Sequence, residues 1–244
     1  MILRVEGLSK KFGGVSAVNN VSFALEKNEI RSLIGPNGAG KTTFFKLLAG
    51  NLKPDSGKIV YENEDITGMK TFHIYHKSIH KTFQHLNLYS KFSPYESIQM
   101  AFLSQKKKNW NFYSFTGRAY NKEIMEILHS VELANKTNIK TAFLSHGEKR
   151  RLDLGIALAG TPNLLLLDEA ASGLGPAEAE DFMKLIVKLA RERALTVCFI
   201  EHDMSVVFGM AEKISVLHLG EIVAEGTAEQ IRNNEMVKKI YLGE

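Results

Sequence analysis

Gly35-Pro36-Asn37-Gly38-Ala39-Gly40-Lys41-Thr42-Thr43 is the stretch whose reading decides the fold. It contains G-x-x-x-x-G-K-T in full, from Gly35 to Thr42, the spacing of a loop that cradles phosphate. Its glycines let backbone N–H groups turn inward around phosphate oxygens. The ammonium of Lys41 would reach the β- and γ-phosphates, and the Thr42 hydroxyl would complete a Mg²⁺ shell. The flanks agree with this. Glu29–Ile34 (EIRSLI) reads as a strand entering the loop, and Thr42–Ala49 (TTFFKLLA) as a helix leaving it, stopped at Gly50. An ordinary Gly-rich turn has no need of Lys-Thr at this offset. The stretch implies a nucleoside triphosphate site.

Composition narrows the class. A chain of 244 residues can bury one substantial core with room for an inserted subdomain. It is 44% hydrophobic and 24% charged, as a soluble globular protein is, with a net charge of only +4. A nucleic-acid binder would concentrate its basic residues in a stripe, so no nucleic acid is expected. The single cysteine, Cys198, excludes an internal disulfide and lies in the apolar run Val197–Ile200, where it reads as core packing. The start, MILRVEGLSKKF, turns polar within a few residues and is no signal peptide. No run approaches the roughly 18 apolar residues of a membrane helix. Work at a membrane would require another chain.

Going outward from the loop, the first third alternates. Ile2–Val5 reads as a strand, and Val21, Phe23 and Leu25 give the period of two of another. Pro54-Asp55-Ser56-Gly57 marks a turn, and Lys58–Tyr61 a further strand. From about Tyr89 to Gly160 helical signals take over. Ser93-Pro94-Tyr95-Glu96 opens one helix with a Ser cap and Pro at the first position, and Ile124, Ile127, Leu128 and Val131 space out another. Then Leu164–Leu167 is a bare apolar run, as a buried parallel strand should be. Phe182, Leu185, Ile186 and Leu189 mark one helix face; Leu195–Ile200 and Ile214–Leu219 read as strands. Thr227-Ala228-Glu229-Gln230 is a capping box opening a C-terminal helix over 227–244. The fold class is α/β: a mostly parallel sheet with helices, an N-terminal antiparallel β part, and a helical subdomain inserted at about 88–160 of a single 1–244 domain.

Two further motifs carry chemistry. In LLLLDE, Leu164–Glu169, a buried strand ends in two carboxylates, and ligands of open α/β sheets bind at carboxyl ends of strands. Asp168 would hold Mg²⁺ through water, and Glu169 would polarise the attacking water. A bare helix-capping acidic pair is the bland alternative, weaker behind a complete phosphate loop. LSHGE, Leu144–Glu148, opens the helix that precedes this strand; Ser145-x-x-Glu148 is a capping box, and a helix N-terminus with free N–H groups is ready to bind phosphate.

The phosphate loop, an LSGGQ-like element and LLLLDE, in that order and spacing, resemble the ATP-binding cassette (ABC) ATPases over almost the whole chain. The resemblance implies ATP and Mg²⁺ as cofactors and a head-to-tail dimer with two ATPs between protomers. In it Gly35, Pro36, Asn37, Gly38, Ala39, Gly40, Lys41, Thr42 and Thr43 would bind nucleotide. Ser145, His146, Gly147 and Glu148 would form the signature that meets the partner subunit's ATP. Phe12 matches the aromatic that stacks on adenine, with core packing as its alternative. Gln84 matches the Q-loop glutamine, which meets Mg²⁺ and the attacking water. His202 matches the switch histidine near the γ-phosphate and follows the strand that ends beside Glu169. Glu169, His202 and Gln84 would be catalytic; Thr42, Gln84 and Asp168 would serve the metal.

The chain departs from the commonest pattern. His146 and Glu148 replace residues of LSGGQ, and a carboxylate would repel phosphate, so Glu148 is assigned to the cap and phosphate contact to Ser145 and Gly147. Ala170 stands where Pro usually follows the acidic pair, and Gly175 where many members carry the D-loop Asp. KKFGGVSAVNNVSF, LSHGEKRRLDLGIALA, DEAASGLGPAEAEDF, IEHDMSVVFGMAEKISVL and the ending YLGE are similar to one branch, the ATPases of branched-chain amino acid importers. That branch implies a second ATPase subunit (a copy or a paralogue), two integral membrane permease subunits and, indirectly, an extracytoplasmic solute-binding protein. It also implies a peripheral place on the cytoplasmic face of the inner membrane. The segment from Gln84 to Met100 would dock the permease, with Tyr89, Phe92 and Tyr95 as contacts or as internal packing. Lys106–Lys108 with Trp110, Phe112, Tyr113 and Phe115 reads as an exposed basic loop whose aromatics pack back, with proximity to a partner or a membrane surface as the alternative. The rivals are an exporter ATPase of lipopolysaccharide type and a soluble ABC clamp. Against the clamp, 84–144 is too short for long coiled coils and lacks sustained heptads.

Overall fold

Three strands of the chain are apolar on both faces, and they make its centre. The computed structural model describes residues 1–82, 88–105 and 120–242. All five residues are buried in each of β3 (Ile30–Ile34), β7 (Leu164–Asp168) and β8 (Thr196–Ile200). Their alternate side chains enter different cores. Leu165, Leu167, Val197 and Phe199 join one cluster, while Leu164, Leu166, Cys198 and Ile200 join the other. A strand covered on both faces has no polar face to show, which is why LLLL reads as an unbroken run.

These strands belong to a six-stranded sheet in the order β10-β9-β3-β8-β7-β6, completed by β6 (Ile79–Lys81), β9 (Lys213–His218) and β10 (Glu221–Gly226). Its pairings are parallel except β9 with β10. A second, antiparallel sheet runs β2-β1-β4-β5 from β1 (Leu3–Phe12), β2 (Val15–Leu25), β4 (Ser56–Tyr61) and β5 (Glu64–Asp65). The helix α1 (Lys41–Leu48) packs with this second sheet: Phe23 and Phe44 meet edge to face with ring centroids 5.5 Å apart. Cys198 is fully buried and burial pushes its thiol up to about 12, so it is inert packing as expected.

After α2 (Thr71–His76) and β6, every described element before β7 is helical: α3 (Pro94–Gln105), α4 (Asn121–Ser130), 3₁₀ turns at Ala134–Lys136 and Thr141–Phe143, and α5 (His146–Ala159). The Ser93 cap is a complete box, since Glu96 N donates to Ser93 Oγ and Ser93 N donates to the Glu96 carboxylate. Ile98, Ile124, Ile127, Leu128 and Val131 are buried with Leu152, Leu154 and Leu158 in the first cluster. The chain then runs through α6 (Pro176–Glu192), α7 (Met204–Met210), α8 (Ala228–Arg232) and α9 (Glu235–Leu242).

Two expectations are corrected. Leu219 is not in a strand: it is exposed with φ 47°, and Gly220 follows at φ 83°. Positive φ at both positions is what a tight hairpin between β9 and β10 demands, and it outweighs the apolar side chain. The C-terminal helix is two helices, because Asn233 closes α8 and the Asn234 side chain caps α9 by accepting from Val237 N at 3.1 Å. The capping box at Thr227 is present as read. The short elements β5, α2 and β6 and the strand β10 were not foreseen. Ile-His-Lys carries no period, and only pairing with β7 makes β6 a strand.

Candidate nucleotide site

The phosphate loop lies between the end of β3 and the start of α1, and two of its glycines are obligatory. Gly35 has φ 154° and Gly40 φ 106°. A Cβ on Gly35 would stand 2.0 Å from the Leu217 carbonyl oxygen, and one on Gly40 2.0 Å from that of Ala17. The N-cap of α1 is Gly40 itself, which brings no side-chain acceptor, and the first turn has no acidic residue. The N–H groups at this helix end are therefore not claimed by side chains, and the helix dipole favours an anion there. Lys41 is 6% exposed and its Nζ donates to Gly35 O at 2.6 Å and Pro36 O at 3.0 Å. Its ammonium is folded on the loop. Burial lowers its pKa, opposed by the carboxylates of Glu169 and Asp168. Asn37 and Gly38 are exposed, Pro36, Thr42 and Thr43 half-buried, and Ala39 buried.

The carboxyl ends of β7 and β8 bring the catalytic candidates together. Glu169 Oε1 and His202 Nε2 are 3.0 Å apart. Glu169 holds a left-handed φ of 54°, which costs a non-glycine residue about 1 kcal/mol or more. The turn is tied by Glu169 N donating to Ile200 O and Ser172 N donating to Glu169 O, both at 3.0 Å. Beside them Glu201, almost buried, accepts from Ala171 N at 2.9 Å, and burial raises its pKa. Asp168 is completely buried, and neither of its oxygens accepts a hydrogen bond among the described residues. Lys81 Nζ stands 2.8 Å from its Oδ2, an ion pair without hydrogen-bond alignment. A buried carboxylate so poorly satisfied fits a hard divalent cation, whose ligands are oxygens.

The signature segment takes the form read from its spacing. Ser145 caps α5: Glu148 N donates to Ser145 Oγ at 3.2 Å and Ser145 N to Glu148 Oε2 at 2.9 Å. The Ser145 backbone N–H holds the Glu148 carboxyl below its ordinary pKa, helped by Lys136 at 3.2 Å. Glu148 thus serves the cap. His146 Nε2 lies 3.1 Å from Ser172 O, which also accepts from Arg150 at 3.0 Å, so the start of α5 is tied to the turn after Glu169. Ser145→Ala should destabilise the chain by about 1 kcal/mol, the usual worth of an N-cap. Denaturant melts would read that loss, and steady-state ATPase assays should show a further fall in turnover if Ser145 also meets phosphate.

Phe12 ends β1 at 48% exposure with Lys10 Nζ 5.7 Å from its ring centroid, so it is free to stack and is not core. Tyr89 is 70% exposed, whereas Tyr95 packs on the first core cluster and belongs to internal packing. Tyr89 and Phe92 touch, with centroids 5.3 Å apart. Gln84 and the basic loop Lys106–Phe115 lie outside the described residues. Lys81 and Tyr241 carried no sequence signal. The Tyr241 phenol is within reach of the Gly35 backbone, and burial pushes it up to about 12. Among the described residues no helix is long and apolar enough to cross a membrane.

The ABC transporter family model matches residues 18–172. The chain belongs to the ABC transporter family, and it is an ATPase subunit of that family. It is 39% identical over 252 residues to the high-affinity branched-chain amino acid transport ATP-binding protein BraF of Pseudomonas aeruginosa, covering 100% of this chain and 98% of that one. It is 38% identical over 251 residues to the corresponding LivG of Escherichia coli, with the same coverage. The lipopolysaccharide export system ATP-binding protein LptB of Haemophilus influenzae is 34% identical over 243 residues, again covering 100% and 98%. Among solved structures, the ADP conformation of the cassette MJ1267 superposes with a TM-score of 0.88 at 28% identity, covering 100% and 99% of the two chains. A dimeric post-hydrolysis structure of the cassette MJ0796, bound to ADP and Pi, gives 0.80 at 26% identity, covering 93% and 99%.

Proposed function

We propose that this chain powers import of branched-chain amino acids or a related small polar solute through separate membrane subunits, working as a pair of cassettes on the cytoplasmic face of the membrane. The observation that carries the catalytic part is the 3.0 Å contact of Glu169 with His202 at adjacent strand ends. Glu169 takes the proton of the attacking water, and His202 orients Glu169 and meets the γ-phosphate. Lys41 exchanges its loop carbonyls for β- and γ-phosphate oxygens. Thr42 and Gln84, with Asp168 through water, would hold Mg²⁺, which when bound neutralises charge on the phosphates. Gly35 to Thr43 cradle the phosphates and Phe12 stacks on adenine. The Ser145 helix start of the opposite subunit closes over the γ-phosphate, with Gly147, so that ATP binding shifts an open pair to a closed one. Residues 88–160 act as a helical subdomain that carries the signature and the permease dock around Tyr89 and Phe92.

The substrate assignment draws on BraF and LivG, whose names specify branched-chain amino acids. An exporter role is the second reading, favoured by the LptB relative. Cells carrying only the Glu169→Gln allele should lose uptake of radiolabelled leucine, isoleucine and valine. Normal uptake with a defect in outer-surface lipid export would instead select the second reading.

A further inference from the structure

Among the described residues, the cation paired with Asp168 comes from outside the motifs that define the site. Lys81 ends β6, where it lies opposite Leu166 of the parallel strand β7, and its side chain runs along the sheet edge to reach Asp168 Oδ2 at 2.8 Å. Among the described residues it forms no other ion pair. The two partners differ in freedom: Asp168 has no exposure, and the Lys81 side chain retains 16%. An ionised carboxylate without water or hydrogen bonds is costly unless a counter-charge stands beside it. Lys41, the other ammonium felt at Asp168, is spent on loop carbonyls. Among the described residues Lys81 is thus the counter-charge that stands beside Asp168. Its long stem and solvent path allow it to withdraw, whereas Asp168 is fixed in the strand.

We propose that Lys81 is a positioning residue that pairs with Asp168 and holds it in place until metal and nucleotide bind, and that competes with the metal for it. This rests on Asp168 being the metal-side carboxylate proposed above. A metal held at Asp168 through water repels the Lys81 ammonium beside the same carboxylate, so metal–nucleotide arrival weakens the Lys81–Asp168 pair.

The test is Mn²⁺ binding in the presence of ATP, followed by the electron paramagnetic resonance of free Mn²⁺, with thermal melts of the full chain. Lys81→Met should bind Mn²⁺ about five- to tenfold more tightly, as loss of a nearby positive charge requires. Its melting temperature should fall without nucleotide and recover with Mn²⁺ and ATP, and Lys81→Arg should resemble wild type. Unchanged or weaker Mn²⁺ binding by Lys81→Met overturns the competition. Asp168→Asn separates the two levels: if it binds Mn²⁺ with ATP as wild type does, the metal reading of Asp168 fails, whatever Lys81 does. Should Lys81→Met not fold, the double variant Lys81→Met with Asp168→Asn decides. Recovery of the fold on removing both charges supports the pair, and continued failure makes Lys81 merely structural and overturns the proposal.

Discussion

Glu169→Gln should lower ATP hydrolysis by about 10²–10⁴-fold, the span lost with a positioned general base, while leaving nucleotide binding intact. Gln matches Glu in shape but cannot accept the proton of the attacking water. The left-handed turn at φ 54° is held by backbone hydrogen bonds to Ile200 and Ser172, which the substitution leaves untouched. The contact with His202 survives as an amide–imidazole hydrogen bond. With Mg-ATP added, a pair closed by ATP can no longer reopen through hydrolysis, so the mass in solution should double by light scattering. A variant that binds ATP yet stays monomeric would assign the second cassette to a paralogue or make pairing depend on the permease. Retained turnover would remove Glu169 from its role.

Gly40→Ala is expected to damage the molecule more deeply, because two independent penalties meet there. An alanine must adopt φ 106°, and its Cβ must occupy a point 2.0 Å from the Ala17 carbonyl oxygen. The colliding atom is backbone, inside β2, and cannot swing away as a side-chain tip would. Together strain and displacement should cost about 3 kcal/mol or more. In a chain of this length that lowers the melting temperature by about 6–12 °C. Moving Gly40 away from Ala17 also moves the N-cap of α1, so ATP affinity should collapse with stability. Calorimetry and fluorescent-nucleotide titration check the two effects. A melting temperature within a degree of wild type, with ATP still bound, would contradict the geometry of the loop.

Much of this was open to reading in the chain alone, for particular reasons. LLLL and the run Val197–Ile200 announced buried strands because both faces of the sheet are covered, leaving no polar side to break the pattern. Ser145-x-x-Glu148 and Thr227-x-x-Gln230 announced helix starts because a capping box is closed by residues three apart. The phosphate loop could be read because its chemistry is local: glycine conformations, one ammonium and one hydroxyl within eight residues. The strands that escaped, β5, β6 and β10, are short or weakly patterned. β6 exists through pairing with the distant β7, whereas β5 and β10 are the second arms of tight hairpins on β4 and β9; in each case the ladder to the partner leaves no mark on spacing within the segment.

By itself the amino-acid order determined the phosphate loop, the apolar strands and the helix caps, since these depend on backbone sterics and on side chains a few residues apart. Tertiary structure alone decided which groups share a charge. Glu169 meets His202 across 33 positions of chain because parallel pairing of β7 and β8 sets their carboxyl ends side by side. Lys81 meets Asp168 only because β6 forms the edge next to β7. The worth of a charge depends on what excludes water from it. Burial follows from packing of the whole sheet, not from the neighbours a residue has along the chain.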